Sequence, residues 1–146
     1  MFTLYSRSEK YAIIALAYLA NVNTSEYQKV KNVAESCKIP IQYLSKLVHG
    51  LQQSNLVTTY RGPTGGIKLS KDPSEIKLID IVNSITDKQN ESIFCLMGKG
   101  RCKDRDDCVL HDIWLGIRNE IHNKIELKTL SQIMDIIPIK YKLNNL

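Results

Sequence analysis

The chain has 146 residues, 24% of them charged and 43% hydrophobic, which suits one globular domain with a real core or a small domain plus a dimerising appendage. No apolar run approaches a membrane span, and the N-terminus MFTLYSRSEK lacks a basic segment followed by an apolar one, so neither a membrane protein nor a secreted one is expected, and the expected compartment is the reducing cytoplasm. The formal net charge of +5 favours an anionic partner, and the excess lies early: residues 1–86 hold ten Lys/Arg against six Asp/Glu, residues 87–146 ten against nine.

In chain order, Ser6-x-x-Glu9 is a capping-box pattern, and Tyr11, Ile14, Ala15, Tyr18 and Leu19 recur behind it at helical spacing, predicting a first helix from about Ser6 to Ala20. Val30, Val33 and Ala34 mark a second, short helix ending near Cys37-Lys38. Pro40 suits the first turn of a third, with an inner stripe of Ile41, Leu44, Leu47, Val48 and Leu51 and an outer face of Gln42, Tyr43, Ser45, Lys46 and His49. Two short helices joined by a tight turn, the second with a hydrogen-bonding outer face, form a helix-turn-helix candidate. Val57-Thr58-Thr59-Tyr60 and Ile67-Lys68-Leu69-Ser70 then read as strands around the glycine-dense turn Arg61-Gly62-Pro63-Thr64-Gly65-Gly66. A hairpin directly behind a helix-turn-helix is a wing, here with a basic tip. The fold class is therefore mainly α with a small β-hairpin wing, and residues 1–86 form the winged helix-turn-helix unit.

Lys71-Asp72-Pro73 breaks the chain before one more short helix, marked by Leu78, Ile79, Val82 and Ile85. Residues 87–108 carry the cysteines. Cys95, Cys102, Cys108 and His111 fall within seventeen residues as Cys-x6-Cys-x5-Cys-x2-His, in a stretch too broken by glycine and charge to be core. Three thiols and an imidazole supply four soft ligands, enough for a closed metal site or an iron–sulfur cluster. A reducing compartment disfavours pairing the four cysteines as disulfides. Structural zinc would use the same donors, although it usually takes closer cysteine spacing; a cysteine-nucleophile enzyme lacks an accompanying acid or phosphate loop, so no enzymatic activity is expected. Cys37, at the helix turn, reads as a small buried hydrophobe.

Beyond the cysteines, Leu110, Trp114, Ile117, Ile121 and Ile125 recur every three or four residues, with Ile113 adjoining, predicting an amphipathic helix of about four turns. Trp114, Ile117, Ile121 and Ile125 form a stripe that so small a domain does not cover alone, which points to packing between two copies. Leu130, Ile133, Met134 and Ile137 predict a last short helix, so residues 109–137 make the dimerising region and 138–146 a flexible tail.

From Leu4 to about Met134 the chain resembles the IscR/NsrR/CymR superfamily of bacterial winged-helix transcription regulators, closest to its IscR type. The resemblance is carried by Lys10-Tyr11-Ala12, Ile39-Pro40-Ile41-Gln42-Tyr43-Leu44, Leu56-Val57, Arg61-Gly62-Pro63-x-Gly65-Gly66, Gly98-Lys99-Gly100 and Cys108-x2-His111-x2-Trp114. It implies a homodimer with crossed long helices that binds a pseudo-palindromic operator in double-stranded DNA. It also implies an iron–sulfur cluster on Cys95, Cys102, Cys108 and His111 that modulates DNA binding, 2Fe–2S in preference to 4Fe–4S. The first cysteine spacing here is x6, where IscR-like members have x5. Some members recruit an acidic ligand from the partner's first helix, which makes Glu9 a rival to His111.

On the DNA side, Gln42, Ser45 and Lys46 are placed to reach base edges in a major groove and Tyr43 a phosphate. Arg61, beside Gly62, suits a narrow minor groove, and Thr59 on the strand and Gly62 are also expected to contact DNA. Arg7 and Lys10 are expected to contact phosphates. Ser45 stands where some members of the superfamily carry an acidic residue used in sequence discrimination, so a different operator is expected.

Overall fold

The computed structural model describes residues 5–86 and 108–134. The expectations for Cys95, Cys102, the Gly98-Lys99-Gly100 loop, Ile137 and the tail 138–146 lie outside the described residues.

Helix α1 (Arg7–Val22) starts where the capping box says it should: the Glu9 N–H donates to Ser6 Oγ at 3.3 Å and the Ser6 N–H to Glu9 Oε2 at 2.6 Å. Its inner face, Ala12, Ile13, Ala15, Leu16, Ala17, Leu19 and Ala20, is the centre of the core. The small side chains let α2 (Val30–Cys37) and α3 (Ile41–Gln53) pack closely on it. Helix α2 stops at Lys38, which adopts the left-handed conformation (φ 54°), with its N–H on Glu35 O and the Ile39 N–H on Ala34 O. Ile39 is buried behind that turn, and Pro40 caps α3.

Strands β1 (Val57–Tyr60) and β2 (Gly66–Leu69) pair antiparallel, Val57 opposite Leu69 and Tyr60 opposite Gly66. The wing is also tied on its far edge: Gln28 and Ile67 exchange two backbone hydrogen bonds of 2.8 Å, which clamps β2 to the segment entering α2. That clamp leaves no room at Gly66, where a Cβ would overlap the Gln28 carbonyl. Gly66→Ala is expected to lower stability by about 1–3 kcal/mol, because backbone rather than a movable side chain must yield; a thermal melt within a degree of wild type would show that the clamp is not rigid.

A 3-10 turn (Pro73–Glu75), capped by Asp72, precedes α4 (Leu78–Ile85). The carboxyl of exposed Asp72 is held below its ordinary range by hydrogen bonds from the Ser74 side chain and backbone. Leu78 and Ile81 are the buried residues of α4. Helix α5 (Val109–Ile121) runs on through a π-helical turn (His122–Glu126), and α6 (Leu130–Ile133) then returns to the core. Its return is stitched to the start of α4: the Leu78 N–H donates to Lys128 O and the Leu130 N–H to Ile76 O, and Leu130 is fully buried.

One expectation is corrected. Ile41 belongs by periodicity to the inner stripe of α3, yet it is 45% exposed while Leu44, Leu47, Val48 and Leu51 are buried. As the first helical residue, it lies ahead of the buried turns.

Candidate nucleic-acid interface and cluster ligands

The outer face of α3 presents Gln42, Tyr43, Ser45, Lys46 and His49, all exposed. Their hydrogen-bonding states differ. Among the described residues Gln42 and Lys46 have no side-chain hydrogen bond or ion pair, so the amide and the ammonium are available to an incoming partner. Ser45 Oγ donates to the Ile41 carbonyl oxygen at 2.8 Å, which spends its donor and leaves its lone pairs outward. The Tyr43 hydroxyl is 2.8 Å from Ser8 Oγ, and its ring stands edge-on to Tyr11, centroids 5.4 Å apart at 83°. Tyr43 therefore joins the third helix to the first turns of α1, where Arg7 is exposed and Lys10 half-buried.

Arg61 and Gly62 lie exposed at the turn of the wing, with Thr59 half-buried on β1. Gly62 has φ 119°, a conformation open to glycine and rarely to other residues, so it sets the direction in which the loop leaves Arg61. On the same hairpin Tyr60, 58% exposed, stacks tilted on Tyr27 at 5.6 Å, and Lys68 Nζ sits 4.7 Å above the Tyr27 ring. Sequence reasoning missed the roles of Ser8 and Tyr11, which meet Tyr43 only when α1 packs on α3, and of Tyr27, Tyr60 and Lys68, which meet only when the wing is clamped to the segment entering α2.

Of the four expected metal ligands, two are described. Cys108 is the N-cap of α5, and the His111 N–H donates to the Cys108 carbonyl at 2.9 Å, so both half-buried side chains stand on the same first turn, three residues apart. Their donor chemistry, a thiol and an imidazole three residues apart at a helix start, fits an iron–sulfur or zinc centre. Among the described residues no group of three His, Cys, Asp or Glu side chains is close enough to hold a metal ion. Glu9 accepts from the Ser6 N–H at Oε2 and lies 2.8 Å from the Thr86 hydroxyl with Oε1, and each carboxylate oxygen keeps a further lone pair. Burial, aided by the carboxylates of Glu126 and Glu9, pushes the neighbouring Tyr5 hydroxyl up to about 12. Cys37 is buried among α2 and its neighbours, and burial pushes its thiol up to about 11, which keeps it protonated and apolar as the sequence suggested.

Along α5 the apolar stripe divides. Trp114 and Ile121 are half-buried, whereas Ile117 is 47% and Ile125 42% exposed, joined by Val109, Leu110 and Ile113. No helix among the described residues is long and apolar enough to cross a membrane.

A helix-turn-helix followed at once by a clamped hairpin defines a winged-helix DNA-binding protein. The chain belongs to the Rrf2 family, described as iron-dependent transcriptional regulators, which it matches over residues 5–136. It is 32% identical over 135 residues to a protein of Aquifex aeolicus named an HTH-type transcriptional regulator, covering 91% of this chain and 92% of that one. It is 27% identical over 126 residues to the HTH-type transcriptional regulator IscR of Escherichia coli, covering 86% and 76%. Among solved structures its fold is similar to T. potens IscR (TM-score 0.73, 22% identity, 92% and 88% covered). It is also similar to CymR, the global cysteine regulator of B. subtilis (TM-score 0.72, 21% identity, 92% and 98% covered). The protein is a transcriptional regulator, not an enzyme.

Proposed function

We propose that the protein is a cytoplasmic, homodimeric regulator that binds a pseudo-palindromic operator in double-stranded DNA, its binding governed by an iron–sulfur cluster that reports iron–sulfur status, redox state or nitric oxide. The observation that carries the DNA half is the pairing of unengaged Gln42 and Lys46 on α3 with Arg61 at the turn of the wing. Residues 1–86 do the reading, 87–108 bear the cluster and 109–137 dimerise. Gln42 and Lys46 address base edges, Ser45 accepts from them, Tyr43 serves a phosphate through whatever its Ser8 bond leaves free, Thr59 and Gly62 contact DNA beside Arg61, and Arg7 and Lys10 add phosphate contacts.

The iron–sulfur reading is supported by the IscR relatives and by Cys108 and His111 sharing one helical turn. Cys95, Cys102, Cys108 and His111 would hold the cluster, 2Fe–2S in preference to 4Fe–4S, with Glu9 of the partner subunit as the rival to His111. When bound, such a group supplies a centre whose charge changes with oxidation.

The test is a DNA-binding titration at several salt concentrations. Affinity should fall steeply as salt rises, since phosphate contacts release counterions. Arg61→Ala should cost about 1–3 kcal/mol of operator binding. Unchanged affinity in that variant removes the wing from the mechanism.

A further inference from the structure

The exposed face of α3 is polar apart from the Tyr43 ring and its first residue, Ile41. Ile41 is the one branched aliphatic side chain exposed on that helix, and it sits one turn before Ser45 and next to Gln42. Its place is fixed: the Ser45 hydroxyl bonds its carbonyl, and a β-branched side chain in a helix holds one dominant rotamer. The polar groups around it recognise bases by hydrogen bonds, Gln42 through its amide and Lys46 through its ammonium. The 5-methyl group of thymine, the one major-groove feature without a hydrogen-bonding atom, is read only by an apolar contact.

We infer that Ile41 is a specificity-determining residue that packs on the 5-methyl group of a thymine in each half-site of the bound duplex. The inference rests on the operator-binding reading above, and deepens it by assigning one base identity to one side chain.

The experiment begins by letting the full chain, purified anaerobically, select its preferred duplex from a randomised pool. Each thymine of that duplex is then replaced singly by deoxyuridine, which lacks the methyl group and keeps the base pairing. For wild type, one thymine per half-site should show a loss of about fourfold in affinity, the change that corresponds to one methyl group losing its apolar surroundings. In Ile41→Ala that penalty should vanish, while the response at every other thymine stays as in wild type. Ile41→Val, which keeps the branch and shortens the chain, should retain part of the penalty and serves as the comparison should the Ala variant fold poorly. Selective binding in which neither variant alters any deoxyuridine penalty overturns the inference and leaves the operator reading intact. Failure of the wild-type protein to enrich any duplex overturns both.

Discussion

Ile117→Asp is expected to convert the proposed homodimer to a monomer. Ile117 is nearly half exposed in the single chain, so a carboxylate there costs the isolated fold little. Between two copies the same carboxylate would be buried without a partner, which is unfavourable by several kcal/mol (~3 or more) unless the seam opens. Sedimentation velocity should report one species of monomer mass. Operator affinity should drop by a factor of about 100 or more, since the two half-sites no longer bind as one linked unit. Ile117 is the sharper choice than Ile121, whose half-burial would mix a folding defect into the result. A variant that remains dimeric would mean that a surface other than the exposed stripe of α5 holds the copies together.

Cys102→Ala is expected to leave a protein with no cluster at all, its iron and sulfide contents falling to background and its visible absorbance lost. The fourth position should respond in a graded way. An imidazole is a neutral ligand, and a thiolate in its place makes the centre more negative, so His111→Cys should assemble a cluster of lower reduction potential. His111→Ala should give a labile one that bleaches in air. Should His111→Ala retain the wild-type spectrum and potential, His111 is only a residue of the helix start, and the site is completed by Glu9 or a small molecule. Glu9→Gln separates those two. Removing that charge would then disturb the spectrum only if the carboxylate is the ligand.

Much of this arrangement was legible in the sequence because its signals are local. Ser6 and Glu9 announce the start of α1, Lys38 and Pro40 bracket the turn into α3, and glycines mark the wing, each acting over a few residues. The winged-helix class follows from their order. What stayed hidden depends on neighbours distant in the chain. Periodicity gives a side chain its angle around a helix but not its height along the core, so Ile41 is assigned inward although it sits beyond the buried turns. The Tyr43–Ser8 bond spans 35 residues and the Thr86–Glu9 bond 77. No spacing rule reports contacts of that kind. The placing of Cys108 and His111 on one turn was legible because three residues span about one helical turn.

The stitching of α6 onto the start of α4 has a bearing on how such a regulator can diversify. Leu130 completes the core of the reading half although it lies more than forty positions beyond Thr86 in the chain. A chain ending at residue 86 would leave a void where Leu130 sits and strand the Ile76 carbonyl and the Leu78 N–H without their partners. The segment between Thr86 and Leu130 is thus an insertion inside one folding unit rather than an appendage behind it. Recombination that exchanged everything after Thr86 between relatives would have to import a compatible Leu130 with it. Point changes in the cysteine segment and on α3 are the less costly route to a new signal or a new operator.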